Sequence, residues 1–181
     1  MLGGSSDVGD LLVRKWVRDV RPARTFDFGM GGGKYGEMVH TIYPAAKVFG
    51  CDTCYLSVEA MKILHRYDTS FHSDLREEVH AAVAQSCDLW VFGDVLTQIP
   101  KEDLSRVWAA ANLGPRRILV TVPIGACLRR TLYPEEQEVQ QWSCTLDDVY
   151  AWPLRILAVC DLQASTTQSS LHVLAETRQG V

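Results

Sequence analysis

The 181-residue chain predicts an α/β fold built on one doubly wound sheet, mostly parallel, with an antiparallel strand near its C-terminal end. Three observations carry this. Short apolar runs alternate with segments of helical period over the first two thirds of the chain, the pattern of strands joined by crossover helices. The run ending at Phe28 opens straight into glycines at 29, 31, 32, 33 and 36. Beyond Thr145 the alternation gives way to two β-rich runs joined by a short polar link, as in an antiparallel pair.

The elements follow in order. Val8, Leu11, Leu12, Trp16 and Val17 recur at helical spacing, so residues 6–20 read as an amphipathic helix that Arg21-Pro22 ends. Residues 25–28 are a short strand, 34–43 a helix stopped by Pro44, and 47–51 a second strand ending at Asp52. A helix over 55–66 turns Leu56, Ala60, Ile63 and Leu64 to one face. A weak strand over 69–72 and a helix over 74–85 come next. The runs 88–92 and 117–122 are buried strands flanking a helix over 102–111. Thr145, with Asp148 three residues on, opens a short capped helix. Strands over 155–160 and 171–176 close the chain, linked by 163–170. Trp16, Trp90, Trp108 and Trp152 read as core or half-buried anchors.

The whole of 1–181 reads as one domain, with 1–22 as its N-terminal helix and 125–142 as an irregular loop. The net charge of −4 gives no electrostatic case for bulk nucleic-acid binding. No apolar run is long enough to span a bilayer, and the first ten residues lack the basic and apolar regions of a secretory signal. Most of the six cysteines lie in apolar runs, and Cys51-Asp52-Thr53-Cys54 has no second CxxC to complete a metal site. The cysteines read as structural, no metal is expected, and the setting expected is cytoplasmic.

In a doubly wound sheet, ligands bind beyond the carboxyl ends of the strands. Asp27, the glycine loop, Asp52, Asp74 and Asp94 all fall there. Glycines let such a loop adopt left-handed geometry and bring its backbone against a ligand. Gly31, Gly33 and Gly36 also satisfy GxGxxG, so a nicotinamide cofactor with Asp52 on its ribose stays open at this point.

DFGMGGGKYG resembles the acidic-residue-and-glycine loop of class I S-adenosylmethionine-dependent methyltransferases. VFGCDT and DLWVFGDVLTQIPKEDL are similar to that family's second- and fourth-strand segments, and the terminal strand pair fits as well. The likeness runs over about 26–178. It implies a Rossmann-like sheet and methyl transfer from S-adenosylmethionine, leaving S-adenosylhomocysteine, to an unidentified small or peripheral acceptor. By the same resemblance, Asp27 lies beside the methionine moiety. Gly29, Gly31 and Gly33 bring the loop against the cofactor. Asp52 accepts from the ribose hydroxyls. Asp74 and Leu75 border the adenine, and Asp94 stands where cofactor and acceptor meet.

One departure affects the chemistry. Relatives often carry Glu-His after GDVL, and this chain has Thr97-Gln98. Glutamine removes no proton, so the usual candidate base is missing, and a non-catalytic binding or assembly protein becomes the second reading. A protein partner or homo-oligomer stays open. Acceptor-side candidates are Asp94, His72 at a strand end, and Tyr133 in the irregular loop, which also holds Arg129, Arg130, Glu135, Glu136 and Trp142. His40, His65, His80 and His172 read as surface or packing residues.

Overall fold

A computed structural model describes residues 7, 9–77, 81–115, 117–124, 140–165 and 168–178. They form a seven-stranded sheet of β1 (Arg24–Phe28), β2 (Lys47–Asp52), β3 (Thr69–His72), β4 (Leu89–Gly93), β5 (Arg117–Ile124), β6 (Leu154–Ser165) and β7 (Gln168–Thr177). The order is β3-β2-β1-β4-β5-β7-β6. β1 to β5 pair in parallel, and β7 enters antiparallel between β5 and β6. This is the doubly wound, mostly parallel sheet the sequence predicts.

Each face carries its own core. Strand residues alternate in direction, so Phe26 and Phe28 of β1 point one way while Thr25 and Asp27 point the other. On the first face Phe26, Phe28, Trp90, Phe92, Ile118 and Val120 pack under α4 (Ala81–Gln85), α5 (Leu104–Ala111) and α6 (Leu146–Ala151). On the second, Val48, Leu89, Val91 and Leu119 pack under α1 (Asp10–Val20), α2 (Lys34–Ile42) and α3 (Tyr55–Ile63). Trp16, Trp90, Trp108 and Trp152 are all buried.

The capping box at Thr145 and Asp148 forms as read: each side chain accepts from the other's backbone N–H. Four boundaries differ by three residues or more. The helix expected over 6–20 begins at Asp10, with Gly9 as its N-cap. The helix expected over 55–66 stops at Ile63, where His65 takes a left-handed φ of 51°. Among the described residues of the helix expected over 74–85, Ala81–Gln85 are helical and 74–77 are not. Asp74 holds the preceding segment in a turn by accepting from Arg76 N–H at 2.8 Å, an alternative that short polar side chains offer the backbone. The link expected over 163–170 is mostly strand, because β6 and β7 continue pairing to Ser165 and Gln168. Among the described residues, no helix is long and apolar enough to cross a membrane.

Candidate functional site

The glycine segment leaves β1 in a tight left-handed path. Gly29, Gly31 and Gly33 have φ of 69°, 46° and 76°. Gly29 and Met30 both donate to the carbonyl of Cys51, at 2.9 and 3.0 Å, which fastens the loop to the end of β2. At Gly29 a side chain is excluded twice, by φ and by Val95, whose Cγ2 would lie 2.6 Å from an added Cβ. Gly33 then caps α2.

Asp52, the last residue of β2, clasps this loop. One carboxylate oxygen accepts from Gly31 N–H and the other from Cys54 N–H, both at 2.8 Å. A carboxylate has about four acceptor positions and can hold several donors at once.

Asp27 lies beneath the loop on the face of α1–α3 and is 0% exposed. The Tyr67 hydroxyl donates to its Oδ2 at 2.6 Å, while Oδ1 is buried with no hydrogen-bond partner. Burial raises its pKa to about 7, offset by the Tyr67 bond and reinforced by the nearby Asp52 charge. A polar atom orphaned in this way calls for a donor. Tyr67 sits between α3 and β3, and no motif in the sequence marks it.

Farther along the carboxyl edge, Asp74 and Leu75 follow β3. Asp74 is bound by the Arg76 guanidinium at 2.8 and 2.7 Å, and Arg76 reaches on to Asp103 at 2.7 Å. Leu75 is half-buried against the core. His72 is exposed at the outer strand, where its Nε2 lies 2.9 Å from the Thr53 carbonyl and its ring meets Tyr55 edge-on. His72 ends β3, the strand end read from the sequence, and its contacts are with the β2–α3 turn and Tyr55. Tyr133, Arg129, Arg130, Glu135 and Glu136 lie outside the described residues, as does His80.

Asp94 follows β4 with a left-handed φ of 61° and is 3% exposed. A non-glycine residue held there stores strain of about 1–3 kcal/mol, a feature that collects at functional sites. Its backbone N–H donates to the Thr121 carbonyl at 2.7 Å, and Thr121 Oγ1 donates to its Oδ1 at 3.1 Å. That leaves Thr121 to accept from the Tyr35 hydroxyl at 2.9 Å. Thr121 and Tyr35 escaped the sequence reading. The available signal was a polar threonine inside the apolar run of β5.

Thr97 and Gln98 occupy a 3-10 turn over Leu96–Gln98. Gln98 Nε2 donates to the Asp94 carbonyl at 3.0 Å. Gln141 returns to this turn, with its N–H on the Thr97 carbonyl and its Nε2 on the Gln98 carbonyl, both at 2.7 Å. Trp142 Nε1 adds a bond to the Ile99 carbonyl at 3.0 Å. Of the two residues that stand in place of Glu-His, Gln98 anchors the Asp94 carbonyl with its side chain, while Thr97 Oγ1 is buried with no hydrogen-bond partner.

Cys51, Cys87 and Cys144 are buried as small core residues, Cys54 and Cys160 are half-buried, and Cys127 lies outside the described residues. Burial pushes the Cys51 thiol far up, and Cys54 Sγ caps α3 by accepting from Ser57 N–H at 3.4 Å.

No family model matches the chain. No curated protein matches it either. Solved structures do. The methyltransferase domain of bacterial CtHen1-CN is similar with a TM-score of 0.70 and 13% identity, over 94% of this chain and 98% of that one. Magnesium protoporphyrin IX methyltransferase from Synechocystis PCC 6803, with bound SAM, gives 0.63 and 18% over 92% and 76%. N-methyltransferase NodS from Bradyrhizobium japonicum WM9 gives 0.62 and 12% over 93% and 96%. The chain has the Rossmann-like fold of the class I methyltransferases. This is the fold that the sequence resemblance implies.

Proposed function

We propose that the protein binds S-adenosylmethionine at the β1–β3 carboxyl edge and transfers its methyl group to a small or peripheral acceptor. The observation that carries this reading is Asp52, set at the end of β2 and clasped to Gly31 of a left-handed glycine loop. Asp52 would receive the ribose hydroxyls, and the orphaned Oδ1 of Asp27 suits the cofactor's amino end. Gly29, Gly31 and Gly33 bring the backbone in, with Asp74 and Leu75 bordering the adenine. Similarity to proteins solved with bound SAM supports the choice of cofactor.

When bound, the cofactor supplies an already activated methyl group, so positioning can account for much of the acceleration. The chain contributes orientation: Asp52 fixes one end, and Asp94, held by Thr121 and Tyr35, faces the junction with the acceptor. In this reading 1–181 is one domain, and 125–142 lies on the acceptor side.

A second reading, a binding or assembly protein without turnover, is favoured by Gln98, which removes no proton and whose side chain is tied to the Asp94 carbonyl. Binding of S-adenosylmethionine with no methylation of any fraction of a native extract by labelled cofactor would support it. Labelling of an acceptor would support the enzyme. Binding of NAD in place of S-adenosylmethionine would overturn both.

A further inference from the structure

The buried carboxyl of Asp27 is held by a residue from another part of the chain. Tyr67 lies just before β3, which β2 separates from β1 in the sheet. Two glycines make room for its ring. A Cβ on Gly36 of α2 would come within 2.6 Å of Tyr67 Cζ, and one on Gly50 of β2 within 3.0 Å of its Cε1. Neither glycine has a positive φ, so what the missing side chains provide is space. Gly50 is the register partner of Asp27, which sets the ring beside the carboxyl. Arg66 fastens the same segment to the loop: its Nη1 donates to the Gly32 carbonyl at 2.6 Å, and its Nη2 pairs with Glu37 at 2.7 Å.

Burial and the facing carboxyl raise the Tyr67 pKa, so the phenol keeps its proton and is the donor in its 2.6 Å bond to Asp27 Oδ2. The Gly36 N–H, one of those that the first turn of α2 leaves without a helical partner, reaches the Tyr67 oxygen. Asp27 Oδ1 is buried with no hydrogen-bond partner. Among the described residues, the titratable groups that bear on Asp27 are Tyr67, Asp52 and Cys51, and no cation is among them. A buried carboxylate without a counter-ion is costly, and a bound cation would complete it.

We propose that Tyr67 is a positioning residue for the cofactor's amino end, holding Oδ2 of Asp27 so that Oδ1 is presented to an ammonium group, which enters as the carboxyl gives up its proton. The inference rests on the proposed binding of S-adenosylmethionine and deepens it. On binding, the carboxyl O–H breaks, its proton goes to solvent, and the ammonium N–H donates to Oδ1. Burial keeps Asp27 protonated up to about 7, and the Tyr67 bond opposes burial. Affinity for a ligand with an ammonium group should therefore fall by about tenfold for each pH unit below 7. A ligand without the amine displaces no proton.

The test is calorimetric titration with S-adenosylhomocysteine and with its des-amino analogue, in which hydrogen replaces the amino group, on wild type and Tyr67→Phe across pH 6 to 8. Phenylalanine keeps the ring between the glycines and removes the hydroxyl. At pH 7 the variant should bind S-adenosylhomocysteine about tenfold more weakly and the analogue within about threefold of wild type. The pH at which S-adenosylhomocysteine affinity starts to fall should rise by about half a unit or more, because Asp27 has lost a donor to its charged form. Equal weakening of the two ligands, or of neither, overturns the inference and leaves the cofactor reading standing. Should Tyr67→Phe not fold, wild type at pH 6 in buffers of different ionisation enthalpy decides. Release of about one proton with S-adenosylhomocysteine and none with the analogue is expected, and equal release with both overturns the inference. Binding of neither ligand to wild type overturns the cofactor reading, and this inference with it.

Discussion

The two halves of the carboxyl edge are built by different means. On the β1–β3 side most ties join the glycine loop to the end of the adjacent strand, Gly29 and Met30 to Cys51, Gly31 to Asp52, and Asp52 to Cys54, with Tyr67 on Asp27 as the long-range exception. On the β4–β7 side they are tied across the chain: Asp94 to Thr121, Thr121 to Tyr35, and Gln141 to Thr97 and Gln98. The first half is built mainly on one strand–loop–helix–strand unit, so most of its geometry is written into residues 27–54. The second is an assembly that exists only once β5 and β7 have joined the sheet. A cofactor common to many proteins suits the first kind of construction, and an acceptor peculiar to one suits the second.

The comparison breaks most readily at Asp27. In the unfolded chain this carboxyl loses its proton near 3.8, whereas in the fold it holds it to about 7. Between those values the folded state binds more protons, so stability should fall as pH rises toward 7 and level off above it. The loss amounts to about 4 kcal/mol, at roughly 1.4 kcal/mol per tenfold change in proton affinity. Urea unfolding of wild type and Asp27→Asn from pH 4 to 8 measures it, and equal pH slopes in the two proteins would deny the burial argument.

A smaller effect is expected at Asp52. Asp52→Ala should weaken S-adenosylhomocysteine binding by about 30-fold, some 2 kcal/mol for charge-assisted bonds to two hydroxyls. A change under about threefold, read by calorimetry, would place the cofactor elsewhere.

The acceptor half is sharpened by Thr121→Val. Removing the hydroxyl between Tyr35 and Asp94 leaves two buried groups short of a partner and should cost about 1–2 kcal/mol of stability. Cofactor affinity should hold within about threefold, since Thr121 belongs to the other half. A large loss of affinity would show that the halves are coupled. Smallest of all, Gln141→Ala should cost about 1 kcal/mol in thermal unfolding for its side-chain bond to the Gln98 carbonyl; an unchanged melting temperature would show that this anchor contributes nothing.

The same contrast explains what the sequence disclosed. The order of strands and helices, the glycine loop and Asp52 follow from spacing, composition and a motif that folds on itself. Tyr67 does not, because it reaches Asp27 from 40 residues away, out of a connection with no pattern of its own. The helix expected from Asp74 failed locally, since its carboxylate bonds the backbone of Arg76 in a turn.

The most direct test of the central claim is calorimetric titration of the protein with S-adenosylmethionine, S-adenosylhomocysteine and NAD in parallel, each repeated on Asp52→Ala. The structure predicts micromolar binding of the first two, none of NAD, and loss of the heat in the variant. Binding of NAD, or undiminished binding of S-adenosylmethionine to Asp52→Ala, would contradict it.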